Sequence, residues 1–144
     1  MNKYQNLKEI QQKEINEFPM FFAFNKQQFI EGMQSLGLNS ADTAAIYKLS
    51  NTGGFFRKSD STRFNDMMNR HADERQQAID EDTTGDGYVF DMFKYELVNH
   101  EYGYSGDLSY TLEALGLTNA EVNANPKLKY ALNKAIVEVR SKQN

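Results

Sequence analysis

Apolar residues recur three and four positions apart through most of this chain, and each stripe is cut off by a glycine, a proline or a polar cap. That periodicity describes amphipathic helices with one buried face, and it leaves little sequence for anything else. Tyr4, Leu7, Ile10 and Ile15 mark a first helix over roughly 2–17, lying on the domain. It closes at Phe18-Pro19, because proline restricts the residue before it and cannot continue the hydrogen-bond ladder. Phe29, Met33 and Leu36 mark a second helix, started by Asn25 with Gln28 and stopped by Gly37. A short third, capped by Asn39 or Ser40, carries Ala44, Ala45, Ile46 and Leu49. Phe64, Met67, Met68, His71, Ala78 and Ile79 form the stripe of a long helix ending near Asp80, and Phe90, Phe93, Leu97 and His100 that of a helix over about 88–102. Together these two predict a helical hairpin. A further helix through Leu108, Leu112 and Leu115 ends at Gly116. Thr118 with Glu121 has the form of a capping box, and Asn125-Pro126 opens a last helix lined by Leu128, Leu132, Ala135, Ile136 and Val139.

Two segments depart from helical spacing. Met20–Phe24 is a short aromatic run, and Gly53-Gly54 turns into Phe55-Phe56-Arg57-Lys58; both read as strands that pair with each other. The expected class is therefore α+β and predominantly helical, with about six helices and a short two-stranded β element. No linker or low-complexity stretch divides the 144 residues, a length that buries a core without staples, so a single domain over 1–144 is expected. Residues 33–42 and 112–121 are alike, each spelling helix, glycine cap, apolar anchor, N-cap and helix. The likeness fades on either side, which marks reuse of capping chemistry and not duplication.

The absence of cysteine removes disulfides and thiolate metal sites. The polar N-terminus is not a secretion signal and no apolar run reaches the length of a membrane span, so the expected location is the cytoplasm, with no membrane partner. A net charge of −4 disfavours direct nucleic-acid binding, which needs clustered cations. An acidic protein can nevertheless occupy a positively charged channel on another protein. There is no phosphate-cradling glycine loop with lysine, no nucleophile elbow and no Cys-His pair, so a binding protein is expected ahead of an enzyme.

Two constellations carry chemistry. The stretch Asp80 to Asp91 invites a calcium-loop reading that fails in both registers: starting at Asp82 puts Phe93 where a bidentate glutamate belongs, and starting at Asp80 puts Gly87 in an apolar position. Calcium is not expected there. The stretch reads as an acidic turn, and its Asp80, Glu81, Asp82 and Asp86 are candidate partner-binding residues. The second constellation is the histidines. At about 1.5 Å per residue, His71 stands about 15 Å and His100 about 18 Å from the hairpin turn, each on an apolar stripe. Glu74 lies one turn from His71 and Glu96 one turn from His100, so His71, Glu74, Glu96 and His100 form a candidate metal set suited to zinc. Such a set supports a structural zinc, or a small hydrolase with His71, Glu96 and His100 as ligands and Glu74 or Glu101 as base. The plain alternative is two buried histidines hydrogen-bonded to carboxylates or tyrosines.

Phe21-Phe-Ala-Phe24 with Gln28-Phe29 and Glu31-Gly32, Gly53-Gly54-Phe55 with Arg57-Lys58, and Asp91-Met-Phe-x-Tyr-Glu-Leu-x-Asn-His-Glu-Tyr102 together resemble a family of small uncharacterised proteins. That family occurs in phages, prophages and other mobile elements of Gram-positive and gut bacteria, and the likeness covers most of the chain. The resemblance implies an inhibitor of host defence, anti-CRISPR-like, acting in the bacterial cell on a type II effector nuclease. Such nucleases hold nucleic acid in positively charged channels.

Overall fold

The computed structural model describes residues 2–142. Helix α1 (Lys3–Glu17) leads to β1 (Met20–Phe22), α2 (Lys26–Ser35), β2 (Ile46–Leu49) and β3 (Gly54–Arg57). The long α3 (Ser61–Glu81) follows, and then α4 (Tyr88–Asn99), α5 (Tyr102–Ser105), α6 (Ser109–Ala114), α7 (Asn119–Ala124) and α8 (Pro126–Ser141). The class is α+β and predominantly helical, with a three-stranded antiparallel sheet of order β1-β3-β2. Contacts cluster into two compact units, one comprising the chain up to Ile10 with Glu74 onward, the other Gln11–Asp73.

The third strand is the main departure from the spacing. Residues 40–49 were expected to be helical, but only a single 3-10 turn forms over Thr43–Ala45 before Ile46-Tyr-Lys-Leu49 pairs with β3. β-branched and aromatic residues suit a pleated surface, and pairing with β3 outweighs the helix-forming alanines before them. The similar decapeptides explain how close the choice is. Leu38 N–H donates to Met33 C=O and Leu117 N–H to Leu112 C=O, both at 2.9 Å, with Gly37 (φ +76°) and Gly116 (φ +67°) left-handed between them. This is the same glycine cap twice. After it, Thr118 and Glu121 complete a capping box and start α7, whereas Asp42 accepts from the Asn39 N–H and no helix follows.

In the unit of residues 11–73 the sheet carries aromatic residues on both faces. Phe21 stacks on Phe55 at 5.2 Å with Phe29 of α2 edge-on to both, over the fully buried Met33. On the opposite face Phe56 stacks on Phe64 of α3 at 4.5 Å, and Phe18 meets Phe64 edge-on. Buried Asp60 accepts from Arg57 and Arg63 as the chain enters α3.

In the other unit α4 packs along α8, where Ala131 and Ala135 are fully buried and let the helices approach around Phe93, Leu97 and Leu132. Tyr4, at the start of α1, joins this core beside Tyr88 and Tyr95. The helix expected to reach Tyr102 stops at Asn99, with His100 as its C-cap and Glu101 left-handed at φ +56°. The helix expected through Leu108, Leu112 and Leu115 starts only at Ser109, with Leu108 as its N-cap, after Gly106 has reversed the chain at φ +67°.

Gly32 offers a sharp check of the packing in the sheet unit. A Cβ at that position would stand only 2.0–2.5 Å from ring atoms of Phe21, which Phe29 and Phe55 hold in place. Gly32→Ala is therefore expected to cost about 1–3 kcal/mol despite the better helix propensity of alanine, read as a lower urea midpoint.

Candidate functional site

The candidate ligands do not form one centre. Among the described residues Glu74 does not join Glu96 and His100 as a third ligand, and His71 faces Glu14 in the unit of residues 11–73. Glu96 and His100 belong to a different cluster. The expected His71, Glu74, Glu96, His100 set therefore divides, with Glu96 and His100 side by side and His71 beside Glu14.

The physical reason is twofold. On α4 the buried positions are Tyr88, Val89, Met92, Phe93, Glu96 and Leu97, so the inward face carries Glu96, while His100 falls past the helix end and is only half-buried. Moreover, α1 supplies polar partners to both clusters, a role its amphipathic spacing does not reveal.

The Glu96 cluster lies wholly in the unit of α4 and α8. Glu96 is 1% exposed, and its carboxylate accepts from Tyr4 Oη at 2.9 Å and Lys8 Nζ at 3.0 Å. His100 Nε2 stands 3.2 Å from its other oxygen. Burial opposes ionisation of Glu96, but the hydrogen bonds from Lys8 and Tyr4 and the charge of Lys8 outweigh it, so its pKa is held below the ordinary 4.5. Tyr4 responds in the opposite sense: burial and the adjacent carboxylate push its hydroxyl far up, so it stays a donor. A buried carboxylate with two donors and an imidazole beside it is a structural centre. Its charge is fully used.

His71 is 1% exposed, and its Nε2 is the one buried side-chain polar atom among the described residues without a hydrogen-bond partner. Glu14 Oε1 stands 3.4 Å away, near enough for charge to be felt but without the alignment of a hydrogen bond. Glu14 is also gripped by the Arg70 guanidinium through both oxygens, which holds its pKa below the usual range. Gln11 secures the backbone here by donating to the His71 carbonyl at 3.0 Å.

The four candidate partner-binding residues have unequal roles. Asp82 accepts from the N–H groups of Gly85, Gly87 and Val89 at 2.9–3.0 Å, so it builds the turn and caps the entry to α4. Its burial opposes ionisation, but those three donors prevail and the pKa falls. Gly85 is required in that turn, being left-handed at φ +91° and pressed against the Lys127 backbone. Asp86 is held by Lys134 at 2.7 Å and Tyr130 at 2.8 Å. Asp80 and Glu81 accept only from the side-chain amides of Gln76 and Gln77 among the bonds resolved, and neutral amides leave their charge uncompensated. Glu81, Asp82 and Asp86 line an open cleft of about 580 Å³ together with Glu74 and with apolar Leu7, Ala78 and Tyr88. Asp80 is not part of that lining.

The chain belongs to a family of unknown function, DUF7659, whose model matches residues 3–138 and so spans both units. No curated protein and no solved structure matches it. No helix among the described residues is long and apolar enough to cross a membrane.

The Glu96 cluster makes a signed prediction. A carboxyl whose folded pKa is depressed stabilises the fold above its unfolded value and loses that contribution as pH falls through the folded one. Unfolding midpoints should therefore drop from about pH 6 to about pH 3 in the parent, and part of that slope should vanish in Glu96→Gln, which carries no charge to titrate. At neutral pH Tyr4→Phe should cost about 1.5–3 kcal/mol, the range for a hydrogen bond to a charged group.

Proposed function

We propose that this DUF7659 protein is a binding protein that inhibits a bacterial defence effector, an anti-CRISPR-like inhibitor of a type II nuclease, and that it engages its target through the acidic cleft beside Asp80 and Glu81. The observation that carries the reading is the make-up of that cleft. Carboxylates line an opening that also has an apolar lining from Leu7, Ala78 and Tyr88. This combination suits a lysine or arginine side chain, whose aliphatic stem packs on apolar surface while its charged head meets carboxylates.

The charge balance of −4 supports the same direction, since complementary potentials steer an acidic protein to a basic surface. The likeness to phage and mobile-element proteins supports the choice of a defence nuclease, whose nucleic-acid channel is positively charged.

The purified chain should bind a type II effector nuclease and reduce its DNA cleavage, with affinity falling as salt rises. Asp80→Lys with Glu81→Lys should weaken binding by at least about tenfold while leaving the free energy of unfolding in urea within about 0.5 kcal/mol of the parent, because both residues are exposed. No complex and undiminished cleavage across a panel of such nucleases would remove the target. Binding that ignores the double reversal would remove the cleft.

A further inference from the structure

We propose that the open part of the three-stranded sheet binds single-stranded nucleic acid, RNA and DNA alike, with bases stacked on Phe22 and Phe24 and phosphates met by Lys26, Lys48 and Lys58. The surface lies wholly within the unit of residues 11–73, and the inference does not rest on the partner-binding reading.

The net charge of −4 is not spread evenly along the chain. Residues 18–30 and 43–59, which contain all three strands, include Lys26, Lys48, Arg57 and Lys58 and no Asp or Glu. The whole-chain balance that disfavours phosphate binding therefore does not describe this surface. Arg57 is committed, donating to Asp60 and to the Leu36 carbonyl. The three lysines are exposed, and none of them enters an ion pair among the described residues. Buried Asp60, next along the chain, already has its charge met by Arg57 and Arg63.

The same segments expose large rings: Phe24 is 77% exposed, Phe22 50% and Tyr47 47%. The register sets Met20 and Tyr47 opposite Phe56, and Phe22 and Leu49 opposite Gly54. These side chains share the face on which Phe64 of α3 stacks over Phe56. That helix covers only part of the face, and Phe22 and Tyr47 stay open on the two edge strands. Alternation carries Phe24 to the same side, two residues beyond Phe22 and about 7 Å farther along the strand direction.

Both phenylalanine rings are seated on glycine. A Cβ at Gly53 would stand 2.5 Å from the Phe24 ring, and one at Gly54 would stand 3.1 Å from the Phe22 ring. The backbone beneath them is fixed as well, since Ala23 N–H donates to the Gly53 carbonyl at 2.9 Å and Phe24 N–H to Gln28 Oε1 at 2.8 Å. Rings held in place before binding give up little conformational freedom, which favours a stacking platform. At the other edge the Lys58 ammonium lies 5.1 Å from the centroid of the Tyr47 ring, a cation beside an exposed aromatic.

Rings and lysines together select the occupant. Unpaired bases offer π faces to the rings and phosphates to the ammonium groups. A duplex keeps its bases stacked on one another and can use only the lysines.

The test uses the full chain, titrated in low salt into labelled oligothymidylate and oligouridylate and followed by fluorescence anisotropy, with a DNA duplex of the same length alongside. Both single strands should bind, and the duplex at least about tenfold more weakly. Affinity should fall with salt at a log–log slope of about −2, the value for three lysines on a single strand. Phe22→Ala and Phe24→Ala should each weaken binding at least about fivefold. If Phe22→Ala fails to fold, the more exposed Phe24→Ala decides alone. Tyr104→Ala, at an exposed ring of the other unit, should leave affinity unchanged. No binding of either strand, equal binding of the duplex, affinity indifferent to Phe24→Ala, or capture by phosphatidylserine vesicles without oligonucleotide binding would overturn the assignment. No effector is present in these titrations, so their outcome is independent of the acidic cleft.

Discussion

A carboxylate taken out of water has to be given donors, and around Glu96 the donors come from far away in the chain. Tyr4 and Lys8 reach it from α1, some ninety residues earlier, while His100 reaches it from the end of its own helix. The consequence is architectural. The first two turns of α1 are tied to α4 by a charged hydrogen-bond set, which leaving any member unpaired would penalise by far more than an exposed ion pair is worth. Tyr4 does both tasks, packing its ring against Tyr88 and Tyr95 and turning its hydroxyl to the carboxylate. The segregation of Gln11 onward into a separate compact unit follows a different chemistry, in which aromatic rings stack on both faces of a small sheet.

Much of the fold is legible because its punctuation is local. Pro19, Gly37, Gly116, Thr118 and Asn125-Pro126 act on their immediate neighbours, and the helices they bound stand where periodicity puts them. What fails is decided at longer range. Ile46–Leu49 follows the alanines of a plausible helix, but it lies alongside β3, and a partner strand cannot be seen from spacing in one segment. Likewise His100 keeps step with Phe93 and Leu97 as text, yet Glu101 adopts a left-handed backbone just after the helix has ended. A stripe extrapolated beyond the true terminus assigns a face to a residue that has none.

The candidate sites were legible in kind and not in membership. His71 was identifiable as a histidine on an apolar stripe. Glu14 was not, because nothing in the first helix distinguishes it from Glu9 or Glu17 until Arg70 and His71 stand beside it. The acidic turn shows the opposite error. Asp82 and Asp86 look like surface charge in the sequence, and both turn out to be committed, the first to backbone N–H groups and the second to Lys134 and Tyr130. Charge that is spent on the fold is not available to a partner, so the uncompensated acids of that region are Asp80 and Glu81.

The same distinction separates the two histidine clusters. Both combine an imidazole, a carboxylate and a cation, and composition alone would treat them as equivalent. Around Glu96 every strong donor finds its acceptor, and a further ion would have to displace Lys8 or Tyr4 from a buried carboxylate, a loss of charged hydrogen bonds with no room for gain. Around His71 the arithmetic is looser: the carboxylate of Glu14 is served by Arg70, and the buried nitrogen facing it at 3.4 Å makes no aligned hydrogen bond. A saturated centre stabilises, and a buried nitrogen without an aligned partner does not.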